Sequence, residues 1–169
     1  MTRARSLFAS LLFTVLVPGT VAGFIPWLLT HWRRAHDFAD PIALRMVGFV
    51  LVALGLPVLL HSIFRFAVEG LGTPAPIAPT RHLVVGGPNQ FVRNPMYIAV
   101  VLMIFGQALF LGQMPLVWYG AFCAIVQAVF VHAYEEPTLA NQFGKEYRQY
   151  KNAVPAWLPR LTPWHPPAT

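Results

Sequence analysis

Four apolar runs, separated by short polar stretches, constrain this chain more than any other feature. Leu7 to Leu29 gives 23 positions without a charge. As a helix rising about 1.5 Å per residue it would reach about 34 Å, enough to cross a hydrocarbon core of roughly 30 Å. Met46 to Phe64 is a second run, with His61 near its end. A third begins at about Met96 and continues to Leu111, and a fourth runs from Leu116 to Tyr134. Only Gly112-Gln113-Met114-Pro115 separates the last two, which predicts a tight antiparallel hairpin. A cleaved signal peptide is the alternative for the first run, because Thr2-Arg3-Ala4-Arg5 has the look of a basic leader. The run is longer than a usual signal core and three more follow it, so a retained helix is expected. Pro18, Gly19, Gly23 and Pro26 predict that this helix bends.

Composition agrees with a bilayer as solvent. Hydrophobic residues are 56% and charged residues 11%, against roughly a quarter charged in ordinary soluble proteins. The mean hydropathy is +0.55. These values exclude a disordered chain, a disulfide scaffold and a zinc ribbon. The single cysteine, Cys123, cannot form an intrachain disulfide. The net charge of +6 does not point to nucleic acid, because the cations sit between apolar runs and at the ends, where lipid headgroups meet them. With the N-terminus inside, Arg3, Arg5, Arg65, Arg81, Arg93, Lys145, Arg148, Lys151 and Arg160 fall on one face and Arg33, Arg34 and Arg45 on the other. That bias places both termini in the cytoplasm. The expected fold is an all-α integral membrane protein of about four transmembrane helices, with a cytoplasmic loop and an amphipathic C-terminal helix. It is expected to form a single membrane domain over 1–169, its first two helices lying within 1–64.

Polar chemistry concentrates in two segments on the cytoplasmic side. Thr73-Pro74-Ala75-Pro76-Ile77-Ala78-Pro79 cannot be helical and reads as a spacer or a lid. Leu83-Val84-Val85-Gly86-Gly87-Pro88 reads either as a turn or as a close approach of backbone to ligand. Phe91-Val92-Arg93-Asn94-Pro95-Met96-Tyr97 opens the third helix, with Pro95 in its first turn and Asn94 a suitable N-cap. The fourth helix is expected to end at Tyr134-Glu135-Glu136-Pro137. Two carboxylates at a helix C-terminus oppose its dipole, so they require a cation, either Arg93 or a ligand ammonium. Neighbouring helical positions point about 100° apart, which lets one glutamate face a pocket and the other face solvent or a basic loop. Leu139, Phe143, Tyr147, Tyr150 and Val154 then form one apolar stripe, with Lys145, Arg148 and Lys151 beside it. This helix could lie on the bilayer or fold over the mouth of the bundle. The six histidines show no metal-ligand spacing, so no metal is expected. There is no serine elbow, P-loop or dinucleotide fingerprint.

The order of these segments carries a resemblance. Leu83-Val84-x-x-Gly87-Pro88-x-x-x-Val92-Arg93-Asn94-Pro95-Met96-Tyr97, an apolar hairpin, Glu135-Glu136-x-x-Leu139-x-x-x-Phe143-Gly144-x-x-Tyr147-x-x-Tyr150 and Val154-Pro155 together resemble the isoprenylcysteine carboxyl methyltransferase and phospholipid methyltransferase superfamily. The resemblance covers about residues 80–160. It implies an integral-membrane methyltransferase using S-adenosyl-L-methionine, bound in a cytoplasmic-side pocket. Carried over by motif, Leu83 and Val84 would give backbone contacts to the cofactor. Asn94, Pro95, Met96 and Tyr97 would line its adenosyl and methionyl parts, Glu135 would pair with its α-ammonium and Glu136 would support that. Gly87 and Arg93 belong to the same expected cofactor site; no catalytic residue is assigned.

Three positions depart from the isoprenylcysteine enzymes. Asn94 stands for a histidine, Asn89 for a tyrosine and Val131 for the arginine that serves a carboxylate substrate. The resemblance therefore extends to the cofactor more than to a prenylcysteine acceptor. Methyl transfer from a sulfonium needs in-line placement at about 3–3.5 Å rather than elaborate acid–base help. Aromatic faces such as Tyr97 and Phe91 attract the sulfonium. The expected acceptor is lipid-like or a small hydrophobic molecule reaching the site from the bilayer, in a multi-pass protein of a bacterial inner membrane. An NADPH-dependent reductase of the sterol-reductase type and a non-catalytic small membrane protein are the competing readings. The sequence leaves the acceptor and the oligomeric state open.

Overall fold

The computed structural model describes residues 12, 16–37, 41–69 and 82–166. The leader-like Thr2 to Arg5, the start of the first apolar run and the proline segment 73–79 lie outside the described residues. Every element among the described residues is helical. A π-turn at Thr20–Phe24 leads into α1 (Ile25–Thr30), then come α2 (Ile42–Glu69), a 3₁₀ turn at Gly87–Gln90, α3 (Pro95–Leu111) and α4 (Met114–Phe130). A second π-turn, Val131–Glu135, joins α4 to α5 (Glu136–Ala153). Two of these helices are long and apolar enough to cross a membrane, α2 and the continuous helix from Met114 to Ala153. The segments Thr20–Thr30 and Pro95–Leu111 are shorter apolar helices.

The predicted bend in the first apolar run has a specific form. Pro26 has no N–H to direct at the carbonyl of Ala22, four residues back. Gln107 of α3 supplies the missing donor, its Nε2 reaching Ala22 O at 2.8 Å. In the π-turn the Ile25 N–H bonds Thr20 O, five residues back, which releases the Val21 carbonyl. Tyr119 of α4 donates its hydroxyl there at 2.9 Å. The first helix is thus tied to α3 and α4 through the backbone groups that its proline and π-turn leave over. Where water is scarce, leaving such groups unmatched would cost several kcal/mol each.

The most extensive packing is between α2 and α3. Gly48 and Gly106 face each other so closely that a Cβ on Gly48 would lie 2.6 Å from the Gly106 carbonyl oxygen. A Cβ on Gly106 would meet Gly48 O at 2.7 Å. Small residues at such a crossing let backbones touch, the usual means of packing helices in lipid. Beside it Ala99, Val100 and Ile104 form a buried cluster with Leu59 and Ile63.

The hairpin between α3 and α4 turns through Gly112, as its sequence requires. Its turn is closed by the segment after α1. Ala35 N bonds Leu111 O, Gln113 Nε2 bonds Arg33 O, and Asp37 Oδ2 accepts the Met114 N–H. Asp37 thereby caps the first turn of α4 from a distant part of the chain.

The other end departs from the sequence reading in one important way. No helix ends at Glu135-Glu136. Pro137 lacks the N–H that would bond Ala133. The chain takes up an additional residue in a π-turn, with Glu136 N bonding Val131 O, and the helix continues. From Met114 to the kink at Gly144 this helix runs about 45 Å, longer than a hydrocarbon core. Its apolar part stops at Tyr134, and the polar part from Glu135 stands beyond it. The amphipathic helix also kinks at Gly144 (φ +51°, ψ −114°). Its stripe packs inward: Tyr147, Tyr150 and Val154 form a buried cluster with Leu83, Val85, Leu139 and Phe143.

Candidate functional site

At this end of the hairpin three segments converge. The stretch Leu83–Gln90 comes from the loop after α2, Arg93–Tyr97 opens α3, and Glu135–Tyr150 closes from above. The tail after α5 straps them together. Pro155 O accepts the Arg93 N–H at 2.9 Å, Arg160 N bonds Phe91 O, and Trp164 N bonds Gln90 O. Tyr150 donates its hydroxyl to Asn89 O at 2.7 Å. Asn94 occupies the N-cap position of α3 but does not cap it with its side chain. Its Nδ2 instead reaches Ala156 O at 3.1 Å, so the tail has taken the side chain that the sequence assigned to the helix.

The convergence encloses a cleft. Leu83, Val84, Asn89, Arg93, Glu135 and Glu136 are among its lining residues, and its empty space out to the mouth is about 480 Å³. A contiguous recess shares Asn89, Arg93, Asn94 and Glu135 and adds Pro95, Met96 and Tyr97. Nine of the ten residues expected to bind cofactor therefore line one continuous space. Gly87 does not. With φ +62° it forms the turn, and a Cβ there would strike the His61 ring at 2.8 Å, so the close approach it permits here is to α2. Phe91, offered as an aromatic face, does not line the cleft, whereas Tyr97 does.

The two glutamates have separate environments. Glu136 is 7% exposed and forms ion pairs with Arg93 (2.8 Å) and Lys151 (2.7 Å). Burial pushes its carboxyl up, but Lys151 and Arg93 outweigh that and hold it below the ordinary value. Arg93 also donates to the Tyr147 hydroxyl at 3.1 Å. Among the described residues Glu135 accepts from a neutral donor only, the Tyr97 hydroxyl at 2.9 Å. Burial raises its carboxyl, the Tyr97 hydrogen bond opposes this, and the neighbouring Glu136 charge adds to the rise. Glu136 is thus held between two cations, whereas Glu135 is a half-buried carboxylate with no cationic partner among the described residues. Three buried atoms on the cleft wall have no hydrogen-bond partner, Asn89 Oδ1, Arg93 Nε and Glu136 Oε1, the last lying 2.8 Å from Arg93 Nη1 in the ion pair. One acceptor and one donor are left facing the same space as the uncompensated carboxylate. Among the described residues no cluster of metal-ligating side chains occurs.

A second, apolar groove opens between α3 and α4. Its walls include Ile98, Val101, Leu102, Ala124 and Ala128, with Trp157 of the tail at one side, and it holds about 600 Å³ out to its mouth. Tyr97 lines both this groove and the polar recess.

The model of the phospholipid methyltransferase family matches residues 44–146 of this sequence. The chain belongs to the phospholipid methyltransferase family. It is a membrane methyltransferase, and the apolar helices fit that membership. An uncharacterized protein of Haemophilus influenzae is 41% identical over 64 residues, which are 37% of this chain and all of that protein. No solved structure matches.

The sequence reading missed Phe66 at the end of α2, Gln127 in α4 and Trp157 in the tail. Phe66 and Trp157 sit outside every motif, and only the folded chain brings them to the site. Gln127 carried a signal, being the one side-chain amide in the run from Leu116 to Tyr134. Asn89 stood in the sequence only as a departure from a family pattern, yet it is buried at the centre of the cleft.

Proposed function

We propose that this protein is an S-adenosyl-L-methionine-dependent methyltransferase acting on a lipid-like acceptor at the cytoplasmic side of a membrane. It would cross the bilayer four times, with both termini inside, as the excess of Lys and Arg on the cleft side favours. The observation that carries the reading is Glu135, a half-buried carboxylate on the wall of a polar cleft with no cationic partner among the described residues. The cofactor's α-ammonium is a cation of the kind such a carboxylate lacks, and its carboxylate and hydroxyls suit Arg93 Nε and Asn89 Oδ1. When bound, the cofactor supplies a methyl group on a positively charged sulfur, which leaves as a neutral thioether when an acceptor lone pair forms the new bond to carbon.

The chain's own part is placement. Glu136 holds Arg93, and Arg93 in turn holds Tyr147, so the cleft wall is fixed before ligand arrives. Tyr97 orients Glu135 by its hydroxyl and stands where the cleft meets the groove. The apolar groove then offers a lipid-like acceptor a path between α3 and α4, with its reactive end toward Tyr97. Water is kept out by the strap that Asn94 and Arg93 anchor.

The test is methyl transfer by the purified protein in nanodiscs, using S-adenosyl-L-methionine labelled in the methyl group and a total bacterial lipid extract. Label should move into the organic phase with the parent and stay in water with Glu135→Gln. Protein shown to be folded that neither binds the cofactor nor transfers label would overturn the proposal. Binding without transfer to any lipid would leave a non-catalytic protein.

A further inference from the structure

The apolar groove contains one group that its surroundings do not explain. Gln127 lies on its wall, in the last turn of α4 and within the apolar run that ends at Tyr134, and its Oε1 is buried without a hydrogen-bond partner. Desolvating an amide without a partner costs roughly 1–3 kcal/mol by mutational measures. Amide side chains among membrane helices ordinarily hydrogen-bond across to a neighbour, so an amide oxygen buried without such a partner is available to a ligand. The comparable amide on α3, Gln107, has both ends occupied by Ala22 O and the Trp32 indole. Gln107 is glue between helices, and Gln127 is not.

The π-turn gives this residue its relation to the cleft. Glu135 lies eight positions after Gln127, which in an uninterrupted α-helix would set the two about 80° apart. A π-turn takes up one additional residue, so eight positions act as about seven, or two turns. Both side chains then come onto one side of the helix, and Tyr97 touches the spaces of both. Among the described residues no Lys, Arg, His, Asp or Glu lines the groove between them.

We infer that Gln127 is a specificity-determining residue for the acceptor, reading a neutral hydrogen-bond donor, a hydroxyl or an N–H, set in an otherwise apolar molecule about two helical turns from the Glu135 carboxylate. An anionic group at that depth would meet no cation, and a plain alkyl chain would leave the amide unmatched. The inference rests on the proposed function for its account of why an acceptor enters the groove, but its test does not depend on turnover.

The test uses two photoreactive probes of equal length, a diazirine-bearing long-chain alcohol and its methyl ether, with the protein in nanodiscs. Labelled peptides are located by mass spectrometry. The alcohol should label the groove residues around Val101 and Ala124 several-fold more than the ether. In Gln127→Met, which keeps the side-chain volume, that preference should fall to about one while total labelling and cofactor affinity persist. An unchanged preference in Gln127→Met, or labelling confined to positions outside the groove, would overturn the inference. If the parent binds no cofactor yet shows the preference, the methyltransferase reading fails and the groove assignment stands.

Discussion

The two ends of the α3–α4 hairpin are built from similar materials and leave opposite residues of chemistry. At the turn, a carboxylate, an amide and several backbone groups meet and use one another up. Asp37 takes the Met114 N–H, Gln113 takes Arg33 O and Ala35 takes Leu111 O. At the cleft, a similar set is assembled and left incomplete. Among the described residues Glu135 has no cation, and Asn89 Oδ1 and Arg93 Nε are buried without partners. Burial is expensive for such groups unless a ligand completes them. A satisfied polar end holds the helices together, and an unsatisfied one awaits a molecule.

Breaking the compensated half of the cleft should have the largest effect on stability. Glu136→Gln leaves Arg93 buried opposite no charge, and such a loss costs about 3–5 kcal/mol. Lys151 is 44% exposed and adds less. A thermal melt in detergent would read the loss. Its pH dependence follows from a carboxyl held below its ordinary value of 4.5. The ion-paired Glu136 contributes fully above that value, and the contribution fades as pH falls through the lower folded pKa. The gap between parent and variant should therefore shrink below about pH 4.5.

The packing common to both ends comes next. Gly106→Val would drive two methyl groups against Gly48 O and the side chains of Val52 and Leu51, costing about 1–3 kcal/mol or separating the helices. A lowered melting temperature with both ends affected alike is the expected result. Gln107→Leu should cost about 1–2 kcal/mol through the orphaned Ala22 carbonyl. Its cofactor affinity should match the parent's. Asp37→Ala, at the satisfied end, should cost about 1 kcal/mol as a lost helix cap and alter nothing at the cleft. A large change in cofactor affinity from either of these last two would erase the distinction between the ends.

Much of this was legible in the sequence, for physical reasons that can be named. The hairpin followed from Gly112 to Pro115 because four residues leave two apolar runs no other path. That Glu135 and Glu136 have different surroundings was to be expected from a helical step of 100°, and Arg93, offered as a protein cation for the pair, binds Glu136. The helix end at Glu136-Pro137 was misplaced because a proline ordinarily stops a helix. A π-turn absorbs the missing N–H instead, and nothing local in Val131 to Glu135 announces it. Asn94 was assigned to its own helix because a cap is a short-range interaction. The competing partner, Ala156 O, is 62 residues away. Trp157 and Phe66 reach the site only through that same long-range closure.

The central claim is that Glu135 is the uncompensated charge awaiting a cationic ligand. Calorimetric titration of S-adenosyl-L-methionine into the detergent-solubilised parent, Glu135→Gln and Asp37→Ala tests it most directly. The account predicts saturable binding by the parent and by Asp37→Ala, and about 30-fold weaker binding or more by Glu135→Gln, from roughly 2 kcal/mol for a lost buried charge pair. Because burial raises the Glu135 carboxyl, the parent's affinity should also decline as pH is lowered toward that raised pKa. Equal affinity in folded parent and Glu135→Gln, or no binding to either at millimolar ligand, would contradict it.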